Sequence, residues 1–147
     1  VSAVDDPGTF AAVFAAMFAG HHIGDHVAQT DWQAKTKARP DRVSRATSWR
    51  AMAGHILTYH LCVGAALAAL LLVDVRFTWP GVVAGLGFSA VTHAFLDRRW
   101  PVRWLLEHTG SKAFAESTTP LHGVYLSDQS LHLACLFVSA LLVVSIG

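Results

Sequence analysis

The sequence is short of charge. Asp, Glu, Lys and Arg make up 14% of its 147 residues, against about a quarter in an ordinary soluble domain. With 53% apolar residues, too few polar side chains remain to dress a water-facing surface, and one domain of this size cannot hide the rest. A mean hydropathy of +0.42 excludes disorder and points to lipid. An excess of one sign of charge is missing too: the formal net charge is +1, with no clustered basic face for phosphate backbones, so no nucleic-acid partner is expected. Cysteine is scarce. Cys62 and Cys135 lie in apolar runs, without a CxxC spacing or a secreted disulfide pattern, and are expected to be buried packing residues. Asp5 and Asp6 stand where a signal peptide carries lysine or arginine, so no cleaved leader is expected.

What the sequence does have is four apolar stretches, at residues 10–29, 51–73, 79–97 and 126–146. Each is near the roughly 20 helical residues that cross a bilayer core. They predict an all-α fold over residues 1–147, a single integral membrane domain built as a four-helix transmembrane bundle. Trp100–His108 is expected as a short cytoplasmic interfacial helix. Gly20 and Gly24, and again Gly81 and Gly85, are spaced to let helix backbones approach closely in lipid. Ten of the eleven basic residues fall in two loops: Lys35, Lys37, Arg39, Arg42, Arg45 and Arg50, then Arg98, Arg99, Arg103 and Lys112. The positive-inside rule puts both loops in the cytoplasm and both termini outside, in a cell inner membrane. Trp32, Trp49, Trp100, Trp104 and Tyr125 flank the cytoplasmic helix ends as interfacial aromatics do.

Nine histidines are the oddity, and seven of them fall within the spans. Ionisable groups in lipid are costly, so they face the bundle interior and mark function. His21, Asp25 and Gln29 follow at i, i+4 steps; His93 and Asp97 repeat the spacing, and Asp128 and His132 reverse its order. His55 and Tyr59 share a face of the second helix. These sets lie late in helix 1, early in helix 2, late in helix 3 and early in helix 4. Because the chain reverses at each crossing, all reach the cytoplasmic side, as a metal centre closed by four helices requires. Imidazole with carboxylate suits a divalent transition metal, zinc first, with iron or manganese as alternatives. Seven candidate ligands, His21, Asp25, His55, His93, Asp97, Asp128 and His132, allow one ion or two. Gln29, Gln129 and Tyr59 are expected to orient ligands.

Simpler roles compete for several of these residues. Asp128 after Ser127 can cap a helix, Asp97 before Arg98 and Arg99 can form a surface ion pair, and His21 with Asp25 can be a metal-free hydrogen-bonded pair. His60 reads as a core histidine bonded to a neighbouring helix, and the loop charges read as topology determinants. The Phe10, Phe14 and Phe18 stripe reads as lipid-facing or packing surface. His22 and His26, off the His21–Asp25 face, read as packing or interface residues, and His108 and His122 receive no role.

The run His21-His22-Ile23-Gly24-Asp25-His26-Val27-Ala28-Gln29, followed by His93–Asp97 and by Asp128-Gln129-Ser130-Leu131-His132, resembles the domain-of-unknown-function family 3307 of small bacterial and phage membrane proteins. The resemblance covers nearly the whole chain. It implies His21, Asp25, Gln29, His93, Asp97, Asp128, Gln129 and His132 as family positions, with His55 as the partner in the second helix. That family often has a lysine shortly after its third-helix aspartate, where this chain has Arg98 and Arg99. More distantly the chain resembles membrane-bound metal-dependent hydrolases. The expected function is hydrolysis of a lipid or lipid-linked ester or phosphoester at the cytoplasmic leaflet, with Asp25 or Asp128 as general base. Membrane lipid is then the partner, and a homo-oligomer is compatible. The alternatives are a non-haem iron oxygenase or desaturase, a metal transporter, and a non-catalytic accessory protein stapled by metal.

Overall fold

The computed structural model describes residues 7–38, 41 and 43–146. Asp5, Asp6, Arg39 and Arg42 lie outside the described residues. In chain order the helices are α1 (Pro7–His22), α2 (Asp31–Thr36), α3 (Arg45–Leu70), α4 (Trp79–Leu96), α5 (Trp100–His108), α6 (Lys112–Glu116) and α7 (Gly123–Ser145). A π-helical turn, Ile23–Val27, continues α1, and a 3₁₀ turn, Leu71–Val73, continues α3. The protein is all-α, with no strand among the described residues. Three helices, α3 with its 3₁₀ turn, α4 and α7, are long and apolar enough to cross a membrane. At 16 residues α1 is about 24 Å long, and the π turn lengthens it.

The helix starts are set by local caps that hydropathy does not register. α3 begins at Arg45, six residues before the apolar run, because Ser44 Oγ accepts the Thr47 amide at 3.1 Å. α7 begins at Gly123, where His122 caps by accepting the Tyr125 amide. α2 falls in a segment expected to be loop. It starts with a capping box, in which Thr30 Oγ1 takes the Gln33 amide and Gln33 Oε1 takes the Thr30 amide at 2.9 Å. α5 has the bounds expected for the interfacial helix, with apolar Leu105 and Leu106 beside Arg103 and Glu107.

Packing divides the bundle into two close pairs, α1 with α3 and α4 with α7. A Cβ on Gly20 would stand 2.7 Å from Val63 Cα, and one on Gly24 would stand 2.8 Å from the Tyr59 ring. On α4, a Cβ at Gly81 would collide with the Val143 carbonyl, and one at Gly85 would lie 2.7 Å from the Ser139 carbonyl. Both glycine pairs therefore serve close backbone approach, as their spacing predicts. Val13, Met17, Val63, Leu67, Leu136, Ala140 and Val143 fill the apolar half of the core. A smaller cluster of Leu96, Val102, Ala115 and Val124 fastens α5 and α6 to α7. Phe10 and Phe14 pack on Phe137 of α7, with centroids 5.1 and 5.8 Å apart, while Phe18 is exposed. Cys62 and Cys135 are half-buried free thiols rather than buried ones. Leu57, Leu61, Leu72, Trp79, Val83 and Val91 stand exposed around the outside, an apolar belt of the kind lipid covers.

Candidate metal centre

Each long helix buries one stripe, and each stripe turns polar at the same end of the bundle. On α4 it runs Gly81, Gly85, Ser89, His93, with Asp97 at the C-cap. On α3 it runs Leu67, Val63, Tyr59, His55. α1 and its π turn contribute His21 and Asp25, and α7 contributes Asp128 and His132. All seven sequence-predicted ligands are buried, and they meet in three overlapping triads: His21, Asp25, His93; His55, His93, Asp97; and Asp97, Asp128, His132. In each triad one ligand atom per residue lies within 4.8 Å of the others.

The tightest group is His55 Nε2, His93 Nε2, Asp25 Oδ1 and Asp97 Oδ2. The two imidazole nitrogens are 3.0 Å apart. His55 Nε2 is 3.2 Å from each carboxylate oxygen and His93 Nε2 is 3.3 Å from each. Atoms about 2.0–2.1 Å from a common centre in tetrahedral array stand roughly 3.3 Å apart, which is the spacing of a zinc site with nitrogen and oxygen ligands. Asp25 Oδ1, though 3.2 and 3.3 Å from two imidazole nitrogens, makes no well-aligned hydrogen bond with either. Separations of this size are also those of co-ligands around one ion.

The second set of orphaned atoms lies beside the first. Asp128 Oδ1 and His132 Nε2 are buried without partners. His132 Nδ1 donates to the Asp128 carbonyl at 2.8 Å, which fixes the tautomer and leaves the Nε2 lone pair free for a cation. Three buried carboxylates, Asp25, Asp97 and Asp128, face one buried ammonium, Lys37, so with neutral imidazoles the cluster is two negative charges in excess. A divalent ion matches that excess. His21 is tied on both sides, Nδ1 to the Tyr59 hydroxyl at 3.2 Å and Nε2 to Gln129 Oε1 at 3.3 Å, and its Nδ1 stands 3.7 Å from Asp25. The Gln29 amide lies 3.0 Å from His55 Nδ1; with Oε1 turned to an Nδ1–H it would leave Nε2 as the ligand atom.

Several of the simpler readings are corrected. Asp128 is the sixth residue of α7, so it caps nothing. Asp97 forms no surface pair with Arg98 or Arg99: it is buried and accepts from Lys37 Nζ at 2.6 Å. The Arg98 guanidinium instead donates to the Lys37 carbonyl at 2.8 Å and to Ser48 Oγ at 3.0 Å, and lies 3.8 Å over the Trp49 ring. Lys37 and Arg98 thus have site-building roles beyond their loop charge, and only long-range contacts, 60 residues apart for Lys37 and Asp97, reveal them. The one hint in the sequence was the capping box at Thr30, which places Lys37 just past a helix end. His60 Nδ1 bonds to the Ile56 carbonyl of its own helix. His22 packs on Phe18, His26 Nε2 lies 3.5 Å from the Tyr125 hydroxyl, and His108 bonds to the Trp104 carbonyl.

A cavity of about 290 Å³ reaches the cluster from one side, lined by Arg99, His122, Val124, Tyr125 and Asp128. Asp128 alone belongs to both the cavity and the triads.

No curated protein and no solved structure matches the chain, so no named relative stands behind the more distant likeness to hydrolases. A family model does match, over residues 13–146, a span that holds all seven candidate ligands: the chain belongs to the family described as protein of unknown function (DUF3307).

Proposed function

We propose that the protein is a membrane-embedded, metal-dependent hydrolase. In this reading α1 with its π turn, α3, α4 and α7 are four crossings, α5 lies in the headgroup layer, and both termini are outside. The site then faces the cytoplasmic leaflet, where the described basic residues Lys35, Arg45, Arg50, Arg99, Arg103 and Lys112 also gather. The observation that carries the metal is the set of 3.0–3.3 Å separations from the His55 and His93 nitrogens to each other and to Asp25 and Asp97, two acids and two imidazoles brought from three separate segments. A bound divalent ion supplies Lewis acidity and a water acidic enough to attack an ester near neutral pH. Asp128, the one carboxylate that lines the cavity, would take the proton of an attacking water and return it to the leaving oxygen as the ester bond breaks. Asp25, deeper in the cluster, serves as a ligand instead.

A second reading, metal as a structural staple, draws on the set of His55, His93, Asp25 and Asp97, whose four side chains would supply every ligand of a closed site. The triad of Asp97, Asp128 and His132 favours catalysis: Asp97 and His132 would hold the ion on the side of the cavity, with Asp128 kept as base and positions left open. Transport is disfavoured by the core beyond Tyr59, where Val63, Leu67, Leu136 and Val143 close the axis.

The test is elemental analysis of detergent-purified protein beside Asp25→Ala and His132→Ala. About one to two zinc-like ions per chain are expected in the wild type, with a clear loss in both variants. Lipid-ester hydrolysis should be lost to a chelator and restored by the metal. A metal-free wild type, or metal content unchanged in both variants, overturns the proposal.

A further inference from the structure

The cavity beside Asp128 has an unusual polar lining. Arg99 is exposed, and its guanidinium makes no ion pair or hydrogen bond among the described residues. It is held there by backbone in the left-handed region, φ 61°, an uncommon conformation for a residue with a Cβ. His122 accepts the Tyr125 amide through Nδ1, so the neutral ring carries its proton on Nε2 and offers a donor. The Tyr125 hydroxyl, 3.5 Å from His26 Nε2, can donate or accept. Apart from Asp128, the cavity side chains thus carry one cation and two groups able to donate, beside apolar surface. Such a lining selects an anion, and a planar guanidinium with an imidazole N–H suits the oxygens of a phosphate.

A separate apolar groove of about 500 Å³ is lined by Phe95, Leu96, Trp100, Trp104, Leu105 and Leu131 among others. Its lining is near that of the cavity in the chain: Trp100 follows Arg99, and Leu131 lies three residues beyond Asp128 on α7. A donor-bearing cavity and an apolar groove built from neighbouring residues match the two parts of an amphiphile.

We propose that Arg99, His122 and Tyr125 form a subsite for the phosphate head of a membrane lipid, whose chain lies in the groove between α4, α5 and α7. This deepens the hydrolase reading and rests on it in one respect: Asp128 would repel the phosphate unless a cation balanced the cluster. The ester to be cleaved then sits between the phosphate held by Arg99 and the carboxylate of Asp128.

The test compares lipid retention by native mass spectrometry from mixed micelles holding phosphatidic acid or phosphatidylcholine, with metal content measured on the same samples. Phosphatidic acid should be retained at least fivefold over phosphatidylcholine. Arg99→Gly should abolish that preference while leaving metal content unchanged; glycine is at ease at φ 61°, so the loss cannot be assigned to a strained fold. Arg99→Lys should restore part of it, and His122→Gln should weaken it. Unchanged preference in Arg99→Gly with metal present overturns the subsite and leaves the metal reading standing. An Arg99-dependent preference in a metal-free wild type supports the subsite and overturns the metal reading. Displacement of the lipid by an equal concentration of inorganic phosphate assigns the pocket to a soluble phosphate and overturns the lipid.

Discussion

On α4 the buried positions run Gly81, Gly85, Ser89, His93 and Asp97, so one stripe brings backbones together at one end and ligating groups together at the other. The apolar end is held by shape. Van der Waals contact along the glycine seams ties α1 to α3 and α4 to α7, with no polar group needed. The polar end gathers buried acids and imidazoles from all four helices, and it joins the two pairs: α1 with its π turn and α3 give His21, Asp25 and His55, while α4 with its C-cap and α7 give His93, Asp97, Asp128 and His132. A change at the apolar end should therefore act within one pair, and a change at the polar end should act between pairs.

The largest effect is expected from His93, which belongs to two of the three triads. His93→Ala should lower metal content about tenfold or more and leave Asp25 and Asp97 as unbalanced buried charges, a loss on the order of 3–5 kcal/mol. Elemental analysis with thermal unfolding in detergent checks it. Next is Lys37→Met, which removes the buried ammonium from Asp97. In metal-free protein it should cost about 3 kcal/mol, and in metal-loaded protein less, because the ion takes over the compensation; a chelator titration of Tm in both proteins separates the two. Gly85→Leu should cost about 1–3 kcal/mol through overpacking against Ser139 and Val143, yet keep the metal, which would show that the two ends are separable. Full loss of metal in Gly85→Leu would mean that they are not. Smallest is Lys35→Ala, which breaks an exposed pair with Asp31 and should shift stability by under about 0.5 kcal/mol.

The sequence made the stripes legible because lipid leaves few reasons for an acid or imidazole in a span. The i, i+4 pairs His93–Asp97 and Asp128–His132 could be placed on buried faces from spacing alone, and helix reversal gave their shared depth. Lys37 escaped because its partner is 60 residues away, and a lysine in a basic loop looks like any other topology signal. Arg98 escaped for the same reason: its hydrogen bonds go to a backbone carbonyl and a serine, which hydropathy does not mark. The early starts of α3 and α7 come from polar caps at Ser44 and His122, outside the apolar runs that defined the expected boundaries.

The π turn at Ile23–Val27, closed by the Ala28 amide on the Ile23 carbonyl at 2.8 Å, has a further consequence. It spends one residue more than an α-helical turn, so the segment before it and the segment after it are read in different phases. Excising one residue there would leave an ordinary α-helical turn, with the segments before and after it nearly in their present phases, whereas excising one from the regular part of α1 would swing what precedes it by about 100° about the helix axis. Val13 and Met17 would keep their seat on α3 in the first case and lose it in the second. A single deletion at the exposed Ile23 or Val27 should therefore be better tolerated than one within residues 14–16.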